Sequence, residues 1–178
     1  MATIAARIYA VSHLSGTFRL RSGRVASEYF DKYRFESDPT LLRAIAELAA
    51  PRSPAGTEGL AGLELGGVPI ATALSLATGL PVFFVRKEAK KYGTERICEG
   101  GEVRGLRLLV VEDVVTTAGQ IVMSTDDLRA AGAVVTDALC VIDRESGGPE
   151  TLTGSGITLH ALFTTSDLDA ARRGSGPT

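Results

Sequence analysis

The stretch "LLVVEDVVTTAGQ", from Leu108 to Gln120, decides the fold of this chain. Its apolar residues predict a buried strand that ends in two adjacent carboxylates, Glu112 and Asp113. Hydroxyl residues and a glycine follow, and helical periodicity begins after them. A loop between a buried strand and a helix lies at the carboxyl end of a parallel sheet, where ligands bind in open α/β folds. The stretch therefore predicts a fold class and the place of a site.

Strand and helix patterns alternate along the rest of the chain. "PVFFVR", "VVTDALCVID" and "ITLHALFTT" are apolar runs without clean alternation, which is typical of strands buried on both faces. Single helical patterns separate the strands, and Gly79 is placed to end one of them. We expect one α/β domain over residues 1–178, with a doubly wound, mostly parallel sheet and helices on both faces.

The two ends of the chain have their own patterns. In residues 1–37, Ile4, Ile8 and Val11 recur at helical spacing, and "FRLRSG" and "EYFDKYRF" predict a strand pair joined by a turn. These elements would form a small N-terminal hood. "SDPTLLRAIAELAA" then predicts a capped helix. Residues 172–178, "RRGSGPT", predict a loose tail.

Composition excludes several classes of protein. Over 178 residues, 19 basic and 21 acidic side chains give a formal charge of 19 − 21 = −2, so we expect no nucleic-acid partner. No apolar run is long enough for a bilayer and no leader pattern opens the chain, which predicts a cytoplasmic protein without a membrane partner. Cys98 and Cys140 are too few for a disulfide framework or a zinc site.

The loop after the first strand constrains its own ligand. The chain contains neither Gly-x-x-x-x-Gly-Lys-Ser/Thr nor a glycine-rich dinucleotide fingerprint. Because carboxylates repel phosphates, Glu112 and Asp113 must face a metal ion or sugar hydroxyls, whereas the N–H groups and hydroxyls after them suit an anion. A phosphorylated sugar satisfies both halves of the loop. The alternative, an acidic turn that caps the next helix, explains one acid but not two.

"VVEDVVTTAGQ" resembles the phosphoribosyl-diphosphate signature of phosphoribosyltransferases. The resemblance implies a type I phosphoribosyltransferase fold, in which Glu112 and Asp113 bind the ribose hydroxyls. It also implies a loop that cradles the 5′-phosphate, formed by Val114, Val115, Thr116, Thr117, Ala118, Gly119 and Gln120. Ala118 stands where the family usually has glycine. Since alanine is penalised at positive φ, we expect a negative φ at Ala118.

A basic segment, "VRKEAKKYGTERICEGG", forms the second motif. In a helix its like charges would face each other, so it is interpreted as a loop awaiting a polyanion, with a solvated charged loop as the alternative. It resembles the catalytic loop of orotate phosphoribosyltransferases. Arg86, Lys87 and Lys90 match that loop, which implies catalytic contacts with 5-phosphoribosyl diphosphate. Tyr92 replaces the usual histidine, and could donate a hydrogen bond to diphosphate but not act as an acid at neutral pH.

The glycines of "GLELGGVPIA" resemble the diphosphate loop of the same family. Many members have a lysine where this chain has Gly66. The N–H groups of Gly66 and Gly67 are then expected to bind diphosphate without that cation.

The base is expected to lie under the hood. "FRLRSGRVASEYFDKYRFESDP" resembles the hood of orotate enzymes, in which Arg21 takes the usual basic position and Tyr29 and Phe30 flank the pyrimidine. Paired aromatic residues are more commonly hairpin core, which is the alternative. "VIDRESGG" matches the next family motif, so Arg144 would pair with the orotate carboxylate. Thr116 would complete the contacts with the base.

These motifs occur in family order from about Phe18 to Gly148. The resemblance implies an orotate phosphoribosyltransferase of pyrimidine (UMP) biosynthesis, which transfers the phosphoribosyl group of 5-phosphoribosyl 1-diphosphate to orotate. It implies Mg²⁺ bound through substrate and water, with no direct protein ligand. It also implies a homodimer with shared sites, in which the loop of Lys90 closes over the partner's site. Two alternatives remain: transfer to another base, and a non-catalytic regulatory protein of the same fold.

Overall fold

The computed structural model describes residues 3–19, 23–87 and 97–174. The helices are α1 (Ile4–Ser12), α2 (Tyr33–Glu36), α3 (Pro39–Ala49), α4 (Gly67–Thr78), α5 (Gly119–Ala130), α6 (Gly148–Gly154) and α7 (Thr165–Gly174). The strands are β1 (His13–Arg19), β2 (Val25–Phe30), β3 (Gly59–Leu63), β4 (Val82–Val85), β5 (Cys98–Glu99), β6 (Arg107–Val115), β7 (Val134–Asp143) and β8 (Thr158–Thr164).

The main sheet has six strands in the order β5-β4-β3-β6-β7-β8. All neighbours pair in parallel except β5, which runs antiparallel to β4. The order reverses beside β3 and β6, and such a switch point opens a crevice at the carboxyl ends of the strands. The predicted doubly wound, mostly parallel sheet is confirmed.

Two hydrophobic clusters cover the faces of this sheet. Along β6, Val110 packs into the cluster of α5 and α6, whereas Leu109 and Val111 pack into the cluster of α1, α3, α4 and α7. All three are at most 1 % exposed. Successive side chains of a strand point to opposite faces, so a strand between two layers is apolar at every position. This burial explains why β6 lacks hydrophobic alternation.

Helix ends follow the predicted signals where the signal is local. The Asp38 carboxylate accepts hydrogen bonds from the N–H groups of Thr40 and Leu41 and caps α3. Gly79 ends α4 in the left-handed conformation, with φ 76°. Within the described residues no helix is both long and apolar enough to cross a membrane.

The hood differs from its prediction in the positions of its strands. β1 begins at His13, ahead of "FRLRSG", and pairs antiparallel with β2. The second strand ends at Phe30, so the prediction of strand structure for Tyr33–Phe35 was wrong. Those residues form α2, which buries Phe35 and Glu36 at the main core. A helical turn can place two consecutive residues in the interior, whereas a strand would send them to opposite faces.

The tail prediction was wrong for Arg172–Gly174, which belong to α7. Thr164 and Asp167 cap this helix reciprocally: the Thr164 N–H donates to the Asp167 carboxylate at 2.8 Å, and the Asp167 N–H donates to Thr164 Oγ1 at 3.1 Å. Leu168 packs into the core and anchors the helix. The Thr-x-x-Asp spacing is a start signal for a helix that the sequence analysis missed. Residues 175–178 lie outside the described part of the chain.

Candidate active site

A cavity of about 440 Å³ opens at the carboxyl end of β6, at the switch point of the sheet. Its walls come from the hood side, the loop after β3, the end of β4 and the loop into α5. The lining residues are Lys32, Tyr33, Glu64, Leu65, Lys87, Glu112, Val114, Val115, Thr116, Thr117, Ala118, Gly119, Gln120 and Ile121. The predicted phosphate loop therefore lines one cavity along its whole length.

The phosphate loop is held close to its neighbours by glycine. Gly119 begins α5, so the unpaired N–H groups of the first helical turn lie at the cavity. A Cβ on Gly148 would lie 2.6 Å from Val115 Cγ1 and 2.8 Å from the carbonyl oxygen of Thr116. Only glycine lets the start of α6 pack this closely on the loop. The loop thus has the form of an anion site with a fixed backbone.

Ala118 contradicts its prediction. Its φ is 61°, in the left-handed region, directly before the first residue of α5. The expected negative φ was wrong because it considered only the backbone penalty, whereas Ala118 is only 6 % exposed and packs into the core cluster that includes α5. Burying this methyl group offsets part of the cost of about 1–2 kcal/mol for an L-residue in this conformation.

The prediction that the strand ends at the two acids was wrong, because β6 continues to Val115 through its pairing with β7. The two acids point in different directions. Glu112 lines the cavity, and its carboxylate accepts a hydrogen bond from the Asp113 N–H at 3.3 Å. Asp113 is fully buried and is not part of the cavity wall. The structure therefore brings Glu112 to the predicted ribose position but turns the Asp113 carboxylate toward the interior.

Asp113 lies in a cluster of ionisable groups that the sequence analysis did not foresee. Lys32 Nζ is 2.7 Å from Asp113 Oδ2, a close ion pair whose angles fall outside those of a hydrogen bond. Glu36 lies beside the same carboxylate, and its Oε1 has no hydrogen-bond partner among the described residues. The lysine follows β2 and the aspartate lies in the central strand β6, so no local pattern indicates this pairing.

Burial sets the protonation of the cluster. Loss of hydration, reinforced by the neighbouring Asp113 carboxylate, raises the pKa of Glu36 to about 9 and that of Glu112 to about 9. Burial also opposes ionisation of Asp113, but contacts with Glu112, Glu36 and Lys32 outweigh it and lower the pKa of Asp113. At neutral pH the cluster therefore carries its negative charge on Asp113.

The glycine-rich loop after β3 packs tightly against the end of β6. A Cβ on Gly66 would overlap the Asp113 carboxylate, and one on Gly67 would overlap the carbonyl oxygen of Val111. No side chain fits either position in this conformation. A side chain at Gly66 would therefore require the buried Asp113 carboxylate to move, and Glu64 and Leu65 are the residues of this loop that reach the cavity.

Arg86 and Lys87, at the start of the basic segment, point in different directions. Lys87 lines the cavity, and its backbone N–H donates to Glu64 Oε2 at 3.2 Å. Arg86 lies outside that cavity, where its Nε is 3.3 Å from Glu99 Oε1. Arg86 therefore has an acidic partner in its own chain. Lys90 and Tyr92 lie outside the described residues.

A second cavity, of about 280 Å³, lies under the hood at the end of β7. Tyr29, Phe30 and Arg144 line it together, and the Arg144 guanidinium carbon is 5.9 Å from the centre of the Phe30 ring. The backbone N–H of Arg144 donates to the carbonyl oxygen of Val115 at 2.8 Å, which ties this residue to the end of β6. Three predicted base-binding residues are thus brought together.

The remaining base-site residues are placed differently. Thr116 lines the first cavity instead of the second, and Arg21 lies outside the described residues. Val114 lines the first cavity and pairs across the sheet with Ile142, which lines the second cavity. The two cavities are therefore neighbours. Tyr9 and His13, which also line the second cavity, were missed because they lie in a helix and a strand start that carry no motif.

Known proteins are similar to this chain in both sequence and fold. The chain is 51% identical over 171 residues to an orotate phosphoribosyltransferase of Nocardioides sp. (strain ATCC BAA-499 / JS614), covering 96% of each chain. It is 44% identical to that of Methanocella arvoryzae, over 86% of this chain and 87% of the relative. The chain belongs to the orotate phosphoribosyltransferase family. No protein-family model matches it.

Solved structures of the orotate phosphoribosyltransferase family have the same architecture. The Mycobacterium tuberculosis H37Rv enzyme in complex with 5-phospho-α-D-ribosyl 1-diphosphate superposes with a TM-score of 0.80 and 29% identity, over 94% of this chain and 98% of that one. The predicted activity, orotate phosphoribosyl transfer in pyrimidine biosynthesis, is therefore confirmed at the level of the family.

Proposed function

We propose that the two neighbouring cavities hold the two substrates of phosphoribosyl transfer. The observation that carries this assignment is their position: the phosphate loop ends β6, the aromatic and arginine cavity ends β7, and these strands pair directly. The first cavity would bind 5-phosphoribosyl diphosphate and the second would bind orotate. The reaction breaks the bond between ribose C1 and diphosphate and forms a bond from an orotate nitrogen to C1.

Each wall of the first cavity would bind one part of the sugar diphosphate. The N–H groups and hydroxyls from Thr116 to Gln120 would bind the 5′-phosphate at the start of α5. Glu112 would bind ribose hydroxyls. The backbone of Gly66 and Gly67, with the cation of Lys87, would neutralise the diphosphate as it leaves. We propose the same diphosphate contacts for Arg86, Lys90 and Tyr92, supplied from a neighbouring subunit.

In the second cavity, recognition of orotate would depend on its planar ring and its negatively charged carboxylate. A guanidinium forms two parallel hydrogen bonds with a carboxylate, so Arg144 suits the acid group of orotate. Tyr29 and Phe30 would cover the faces of the ring. Because orotate is already an anion, no side chain with a neutral-pH proton is required next to it.

Magnesium would enter with the substrate. Among residues 3–19, 23–87 and 97–174, no group of three or more His, Cys, Asp or Glu side chains could hold a metal ion. Glu64 and Glu112 are the acidic residues of the described cavity wall, and the Glu64 carboxylate fits contacts to the water shell of Mg²⁺ carried by diphosphate. When bound, Mg²⁺ neutralises negative charge on the leaving diphosphate.

We propose that the chain acts as a homodimer with shared active sites. Arg86 points away from its own cavity, beside Phe84, which is 37 % exposed. Leu65 and Leu76 are 59 % and 85 % exposed. Apolar side chains at such exposure favour coverage by a second subunit, and Arg86, beside Phe84, could then reach the partner's diphosphate.

The test of this function is a pair of Michaelis constants. Orotate absorbance should fall when 5-phosphoribosyl diphosphate and Mg²⁺ are added. Arg144→Ala should raise KM for orotate about 30- to 150-fold, which corresponds to a lost charged hydrogen bond of about 2–3 kcal/mol, and should change KM for the sugar diphosphate less than about threefold. Arg43→Ala, an exposed arginine on α3, is the control. Equal effects on both substrates would show that Arg144 is structural.

A further inference from the structure

Lys32 lies between the buried Asp113 carboxylate and the first cavity. It follows β2 and precedes α2, so the hood side of the cavity supplies it. Its side chain is 34% exposed, whereas the side chain of Asp113 is 0% exposed. Lys32 therefore lies at the cavity wall, in the place to which the Asp113 carboxylate was expected to point.

The position of this ammonium group is fixed from two sides. Its Nζ is 2.7 Å from Asp113 Oδ2 and 5.3 Å from the centre of the Tyr33 ring. An ammonium group has three N–H donors, and a single carboxylate oxygen cannot satisfy all of them. The remaining donors are available to an anion in the cavity. Burial lowers the pKa of Lys32, but the contact with Asp113 outweighs it and raises the pKa, so the group is cationic at neutral pH.

The glycine-rich loop beside Lys32 cannot supply a cation of its own. A side chain at Gly66 would overlap the same Asp113 carboxylate that holds Lys32. Among the described residues of this cavity wall, the basic side chains are Lys32, which follows β2, and Lys87, which follows β4. Lys32 and Gly66 both lie against the Asp113 carboxylate, so an anion that binds over Gly66 would lie beside Lys32.

We propose that Lys32 contacts the diphosphate of the sugar substrate, and that Asp113 is a positioning residue that holds the ammonium group instead of a ligand of the ribose. Glu112 alone then serves the ribose hydroxyls from the end of β6. This inference rests on the proposed function, since it requires 5-phosphoribosyl diphosphate in the first cavity.

Two probes separate this role from the alternative. Inorganic diphosphate reports the leaving-group site, and ribose 5-phosphate reports the phosphate loop and the ribose hydroxyls. With Mg²⁺ held constant in calorimetric titrations, Lys32→Met should raise the Kd of inorganic diphosphate about tenfold or more. Asp113→Asn should raise the same Kd about three- to tenfold, because the lysine loses its anchor. Both variants should leave the Kd of ribose 5-phosphate within about threefold.

Three further variants distinguish effects on ligand binding from effects on folding. Lys32→Met leaves a buried carboxylate unpaired, so Lys32→Met combined with Asp113→Asn removes both charges and should bind diphosphate as weakly as Lys32→Met alone. Arg34→Met removes one exposed cation from α2, two residues after Lys32, and should change neither Kd. Glu112→Gln should weaken ribose 5-phosphate binding selectively.

The opposite pattern would overturn the inference. If Asp113→Asn weakens ribose 5-phosphate binding as much as Glu112→Gln does and leaves diphosphate binding unchanged, Asp113 is a ribose ligand and Lys32 only balances its charge. If the unaltered chain binds neither probe and does not consume orotate, the proposed function itself fails, and the role of Lys32 fails with it.

Discussion

At the scale of single residues, Ala118 shows a conflict between backbone and packing. A left-handed φ of 61° costs an L-residue about 1–2 kcal/mol, whereas burying its methyl group contributes about 0.8 kcal/mol. The two effects are close in size, so alanine is tolerated at a position where glycine would relax the backbone. The phosphate loop therefore keeps its shape although it lacks a glycine there.

This balance gives a prediction for Ala118→Gly. Relief of the backbone should exceed the loss of the methyl group, so the free energy of unfolding should rise by about 0–1 kcal/mol in urea denaturation. Ala71→Gly is the matched control, since Ala71 is also buried but lies inside α4. That substitution loses both the methyl group and helix propensity, and should cost about 2 kcal/mol. Equal losses at the two positions would contradict the strain at Ala118.

At the scale of elements, α2 connects the hood to the end of β6 through buried charge. Glu36 on α2 has a pKa of about 9 in the folded chain against an ordinary value of 4.5. The folded protein keeps this proton between those pH values, whereas the unfolded chain releases it. The stability that the group contributes is therefore complete below pH 4.5 and is lost as the pH rises to about 9.

The second prediction is that Glu36→Gln weakens this pH dependence. Each such group contributes a slope of about 1.4 kcal/mol per pH unit within its window, and glutamine keeps the hydrogen-bond donor without the ionisation. Urea denaturation between pH 5 and pH 9 should show a shallower loss of stability in the variant, with the remaining slope due to Glu112. Glu47→Gln, at an exposed position on α3, should keep the slope of the unaltered chain. Parallel curves for Glu36→Gln would show that Glu36 is ionised in the folded state.

The elements also show what the sequence could and could not predict. β6 and its loop were predictable because the apolar strand, the two acids and the helix start are contiguous. The reciprocal cap of α7 was local too, but its short Thr-x-x-Asp signal was not recognised. The pairing of Lys32 with Asp113 was not predictable, because it depends on how the hood packs against the sheet. Of the base site, Tyr29, Phe30 and Arg144 were foreseen only through the family resemblance.

At the scale of the whole molecule, the proposed dimer makes each active site a product of two chains. The prediction is that Lys90→Ala and Arg144→Ala complement each other. Lys90 would act on the partner's site, and Arg144 lines the base cavity of its own chain. After subunit exchange about half of the dimers are mixed, and each mixed dimer has one intact site, so roughly a quarter of the original activity should return.

This assay needs orotate well below the KM of Arg144→Ala, so that each variant alone is nearly inactive. Exchange is verified with subunits of different mass, and two portions of the same variant mixed together are the control. If mixing restores no activity although exchange has occurred, the loop serves its own chain.

The pairing of β6 with β7 fixes the distance between the two cavities. Neighbouring strands lie about 4.8 Å apart, and hydrogen bonds along both strands prevent that spacing from adjusting to a ligand. A bisubstrate inhibitor that joins an aromatic carboxylate to a phosphate would find its second binding step converted into an intramolecular one. Its potency should therefore pass through a narrow maximum as the linker is lengthened, because the fixed strand spacing sets the best linker length.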